Sequence, residues 1–193
     1  MQLHKRDLVD AATAILDNFG IADLTMRRLA RELSVSPGAL YWHFANKQEL
    51  LGAVSDRILE PLGDPPGDWQ DRITNTCCAL RDALLSHTDG SELVSASFAA
   101  GQSRTMADLV GRLATAARDA GVAESDAELA ARTVIYYVLG FTADEQSRLQ
   151  WDAAGATLPE EQSVLTSEPS RRFAFGLGLL IGGLTVHSAE RRP

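Results

Sequence analysis

Apolar residues return three and four positions apart along most of the chain, the spacing of helices with one buried face. Leu8, Ala11, Ala12, Ile15, Leu16 and Phe19 predict a first helix, and Gly20 predicts its end. Thr25 is placed to N-cap a short second helix, Met26 to Leu33, with Met26, Leu29, Ala30 and Leu33 inward. Ser34-Val35-Ser36 then turns the chain. Ser36 followed by Pro37 predicts the start of a third short helix, Pro37 to Phe44. Asn46 to Glu49 has the form of a capping box and opens a longer helix to about Leu59.

The pattern breaks at Leu62 to Gly67, where two prolines and two glycines stop one helix and prevent the next. Beyond this boundary the spacing predicts helices over 68–87, 92–100, 103–120 and 125–149. A loop is expected from Asp152 to Pro169, then a last helix from Ser170, as its cap, to Ala189. The one β-like run is too short for a sheet. The expected fold class is all-α.

Composition narrows the function classes. The chain has 193 residues, 45% apolar and 23% charged, which suits a globular domain with a sizeable core and not a disordered chain. Its two cysteines, Cys77 and Cys78, are adjacent; they can neither staple distant segments nor supply zinc-ligand spacing, and they read as small buried hydrophobes. The first residues have no apolar stretch of a secretory signal, so a reducing cytoplasm is the expected location. Eighteen basic and 26 acidic residues give a net charge of −8. That charge is uneven: residues 1–62 hold 7 basic and 8 acidic residues, and the rest hold 11 and 18. The first third is relatively basic without being a polycation. Any case for nucleic-acid binding must therefore come from local geometry.

Residues 25–47 supply that geometry. Two short helices across a three-residue turn fit a helix-turn-helix, whose second helix can enter a major groove. Leu40 and Phe44 make that helix's apolar stripe, which leaves Tyr41, Trp42 and His43 on the remaining surface. Large rings with polar tips suit phosphate and sugar contact, and Arg27, Arg28 and Lys47 bring positive charge close by. Gly38 and Ala39 would let backbone approach base edges or a thymine methyl. A helical hairpin whose aromatics merely pack fits the same local pattern.

A resemblance extends the pattern. Leu29-Ala30, then Val35 through Phe44 and on through Lys47 to Leu51, resembles the DNA-binding domain of the TetR family of bacterial transcriptional repressors. Trp69-Gln-Asp71, Ala83 to Gly90, Leu139-Gly140 with Asp144 to Gln146, and Phe175 to Leu177 with Gly183-Leu184 resemble the tetracycline-repressor branch of that family. The resemblance implies a helix-turn-helix domain over residues 1–45 and an effector-binding and dimerisation domain over 46–193, with a connecting helix at 46–62. It implies DNA contacts from Arg27, Pro37, Gly38, Ala39, Tyr41, Trp42, His43 and Lys47. Arg27, Tyr41, Trp42, His43 and Lys47 match that branch in identity, whereas Pro37-Gly38-Ala39 stands where it carries a base-reading Gln-Pro-Thr. These three offer backbone and methyl contact only, so a different operator is expected.

The resemblance also implies a homodimer, joined through a bundle of the helices around Ala127–Thr142 and Ser170–Ala189, and release from double-stranded operator DNA by a small organic effector. Gly63, Val94 and Thr76 stand where the branch uses two histidines and an asparagine to hold a metal–tetracycline chelate. No metal, cofactor or catalytic residue is therefore expected, and Asp144-Glu145 reads as a solvated helix face. Leu80, Leu84, Phe98, Leu109, Leu113, Ile135 and Leu139 are the expected lining of an effector pocket, suited to a largely apolar ligand. The uncharged run Phe173 to Ala189 is too rich in glycine for a membrane span, and Gly176 and Gly178 lack the preceding strand of a nucleotide fingerprint. Gly178 and Gly182, four apart, permit close helix approach. An architectural or non-inducible DNA-binding protein is the alternative, opposed by the acidic balance. An enzyme would need a reactive constellation that the spacing does not supply.

Overall fold

The computed structural model describes residues 3–155 and 168–190, which contain no strand. In chain order the helices are α1 Lys5–Phe19, α2 Met26–Glu32, α3 Pro37–Tyr41, α4 Lys47–Ile58, α5 Trp69–Leu85, α6 Gly90–Ala99, α7 Arg104–Asp119, α8 Glu124–Ala153 and α9 Pro169–Glu190. The all-α expectation holds. Most of the loop expected between α8 and α9, residues 156–167, lies outside the described residues. The last helix begins at Pro169, so Ser170 sits inside its first turn and is not its cap.

The chain divides into two compact units. One gathers the chain up to Pro61 with Asp82–Ala107; the other gathers Leu62–Arg81 with the residues from Asp108 onward. In the first unit α1 packs on α2 and α4, and α4 packs on α6. Leu8, Ile15, Leu16, Leu29, Leu40, Phe44, Leu50 and Ile58 form its core. Phe19 departs from the expected inward face. It is half exposed at the end of α1, and the Arg28 guanidinium lies 3.8 Å above its ring.

Close contacts tie α4 to the segments around α6. A Cβ on Gly52 would stand 2.4 Å from the Gln102 carbonyl oxygen, so only glycine lets α4 approach the turn before α7 this closely. One turn further on, the Asp56 carboxylate accepts hydrogen bonds from the Ser103 hydroxyl (2.7 Å) and the Thr105 amide (3.0 Å) at the start of α7. The turn before α6 is pinned to the end of α1. There Asp89 accepts from the Ile21 amide at 2.9 Å, and the Thr88 hydroxyl donates to the Asp17 carbonyl at 2.9 Å.

In the second unit α8 packs against α9. The Tyr137 hydroxyl donates to the Phe173 carbonyl at 2.8 Å, and its ring occupies the space a side chain at Gly176 would need. Tyr137, Phe141 and Phe173 form an aromatic cluster. Beside it, Glu145 of α8 accepts two hydrogen bonds from Arg81 of α5, at 2.7 and 2.9 Å, with both side chains about nine-tenths buried. Glu145 therefore does not lie on a solvated face, although its neighbour Asp144 is exposed. Cys77 is buried, and burial pushes its thiol pKa up, while Cys78 is exposed, contrary to the expectation for the pair. Among the described residues no helix is long and apolar enough to cross a membrane.

Candidate nucleic-acid interface

The helix-turn-helix is built by caps at both ends. The Thr25 side chain accepts from the Arg28 amide at 3.1 Å and starts α2. At its other end, Ser34 adopts a left-handed conformation (φ 54°), with Ser34 N–H bonded to the Arg31 carbonyl and Val35 N–H to the Ala30 carbonyl. This pair of reversed bonds closes the helix and turns the chain sharply. Pro37 then sits in the first position of α3, where its missing N–H is harmless. The third helix ends at Tyr41, three residues earlier than its apolar stripe predicts. His43 and Phe44 both donate to the Leu40 carbonyl, a tight turn that returns Phe44 to the core. Asn46 caps α4 by accepting from the Glu49 amide at 2.8 Å, while the Glu49 carboxylate accepts from the Ala45 amide at 3.0 Å.

With Leu40 and Phe44 facing inward, the neighbouring rings face out. Trp42 is 90% exposed and Tyr41 53% exposed. A hairpin whose aromatics merely pack would bury them; leaving two such rings in water marks a contact surface. Arg27, Pro37 and Gly38 are also exposed, and Ala39, His43 and Lys47 are partly so. All eight expected contact residues therefore lie in α2, α3, the tight turn after it, or the first residue of α4, and each presents some surface. Arg28 is committed elsewhere: it pairs with Asp23 at 2.6 Å and covers Phe19.

The expected effector residues are differently placed. Leu80, Leu84, Leu109, Leu113, Ile135 and Leu139 are buried and Phe98 is partly buried, distributed over α5, α6, α7 and α8. Leu113 also lines a cavity of about 240 Å³ in the second unit, with Asp64, Arg72, Thr76, Arg112, Thr115 and Ala116. Apart from Leu113, and from Thr76 as the counterpart of an asparagine, sequence reasoning singled out none of this lining. No motif links Arg72 and Arg112; both line the cavity because α5 and α7 each border it.

Known proteins agree with this geometry. Residues 8–54 match the family model described as bacterial regulatory proteins of the tetR family, and residues 60–187 match a tetracyclin repressor-like C-terminal domain. The chain is 30% identical to the class C tetracycline repressor protein of Escherichia coli, over 95% of this chain and 91% of that one. It resembles the crystal structure of BioQ from Mycobacterium smegmatis with 63% identity and a TM-score of 0.90, covering 96% of this chain and 99% of the other. It also resembles the structure of BioQ with its natural double-stranded DNA operator, with 61% identity and a TM-score of 0.84, covering 96% of this chain and all of that one. A helix-turn-helix with an outward aromatic surface, followed by a repressor-like helical domain, thus places this chain in the TetR family of DNA-binding transcriptional repressors.

Proposed function

We propose that this chain is a homodimeric repressor that binds an inverted-repeat operator through α3 and its flanks and is released by a small organic molecule. The outward placement of Tyr41 and Trp42 carries the reading, because nothing in the protomer's own packing requires it. Arg27, Tyr41, Trp42, His43 and Lys47 grip phosphate and sugar, while Pro37, Gly38 and Ala39 meet base edges through backbone and methyl groups. BioQ, with its operator complex, supports a DNA-bound function for so similar a chain.

Two heads reading successive major grooves must be held about 34–36 Å apart. The partner face is the apolar surface of α8 and α9, where Leu129, Tyr136, Phe175 and Leu179 are each more than half exposed. Added side chains at Gly178 and Gly182 would meet nothing within the protomer, which leaves that stretch of α9 open to a second copy. The effector acts through α4: its contacts with α6 and the start of α7 move α4, and with it the spacing of the heads.

Fluorescence anisotropy with the BioQ operator duplex tests the reading, run against an unrelated duplex of equal length. Tight binding to the first, weak and salt-sensitive binding to the second, and a dimer by sedimentation are expected. Equal affinity for both duplexes would favour an architectural role instead.

A further inference from the structure

The cavity of about 240 Å³ between the segment at Asp64, α5 and α7 has the makings of a ligand site. It is smaller than the pockets that hold drug-sized molecules, so its occupant is a small one. Leu113 and Ala116 give it an apolar floor, and both are buried. Two guanidiniums line it, and they differ in their commitments. Arg72 is engaged by the Asp119 carboxylate and donates to the Asp68 carbonyl. Arg112 bonds the Gly63 carbonyl and has no carboxylate partner among the described residues. Its other N–H groups remain available in the planar fork that matches a carboxylate. Thr76 supplies a second, independent observation. It is 94% buried, its exposure being 6%, it lines the cavity, and its hydroxyl has no hydrogen-bond partner among the described residues. The Thr76 hydroxyl is not among the sealed, unpartnered polar atoms, so it opens to the cavity and takes its partner from whatever fills it.

We propose that this cavity binds a short-chain organic carboxylate, with Arg112 holding the carboxylate, the Thr76 hydroxyl giving a second polar contact, and Leu113 with Ala116 covering the short apolar body. Asp64 is the opposing charge. It is exposed at the cavity mouth, where water screens it, and it weakens anion binding without preventing it. The proposal deepens the effector reading above by naming the ligand's chemistry, and it rests on that reading only for what happens to DNA.

Binding is therefore measured on the whole protein without DNA, using valerate and its uncharged analogue valeramide as probes and the methyl resonances of Thr76, Leu113 and Ala116 as the readout. Valerate is expected to shift these resonances saturably and to bind at least about ten-fold more tightly than valeramide, as a charge-assisted pair requires. Arg112→Gln should remove that preference while distant methyl resonances keep their positions. Asp64→Asn, at an exposed position, should tighten valerate binding. Equal binding of the two probes, no saturable shift with either, or valerate binding unchanged in Arg112→Gln would overturn the proposal. Repeating the titration on the protein–operator complex separates the two readings. Valerate that binds as described but leaves the complex intact upholds the anion site and removes it as the releasing site.

Discussion

Trp42 separates folding from function most cleanly among single residues. At 90% exposure its ring contributes little to the protomer, so Trp42→Ala should change stability by no more than about 0.5 kcal/mol. Operator affinity should nonetheless fall by about 2 kcal/mol, roughly thirty-fold, the size of loss seen when an interface aromatic is removed. Denaturant unfolding and operator titration of the same variant check both halves. On the proposed reading Lys47 holds phosphate. A phosphate contact carries no sequence information, so Lys47→Ala should weaken binding to all duplexes and lower the salt slope by about one unit. The outward rings were legible in the sequence because Leu40 and Phe44, four apart, leave Tyr41, Trp42 and His43 off the stripe. The left-handed Ser34 was not: glycine usually marks such a turn, and a serine there gives no signal. Phe19 misled because it continues the apolar spacing of α1, although its ring lies at the helix end under Arg28.

Helix positions followed closely from spacing and caps, since Thr25 and Asn46 act locally and their partners lie three residues away. Contacts between distant helices were invisible for the opposite reason. Arg81 and Glu145 stand 64 residues apart, and nothing in either neighbourhood announces the other. Their buried pair joins α5 to α8 beside Phe173, over whose ring the Arg81 guanidinium lies at 5.3 Å. Removing one partner leaves a buried charge alone, so Arg81→Ala should destabilise the protein by about 3–5 kcal/mol. Replacing both, as in Arg81→Met with Glu145→Leu, should recover most of that loss, because the desolvation penalty disappears with the charges. Thermal unfolding of the single and double variants gives the comparison. A double variant as unstable as the single one would mean that the pair supplies packing no apolar substitute can match.

At the scale of the whole molecule, an acidic chain with few lysines binds DNA only where its geometry concentrates contact. The polar cavity escaped the sequence because its lining is assembled from the linker and two helices, whereas the helix-turn-helix is one continuous segment. On the proposed reading, repression and release both depend on the spacing between the two heads of a dimer. The most direct test is selection of bound duplexes from a random pool. An inverted repeat is expected, its half-sites centred about one helical turn, 34–36 Å, or a multiple of it apart. Recovery of a single unrepeated site, or of no shared sequence, would contradict the account.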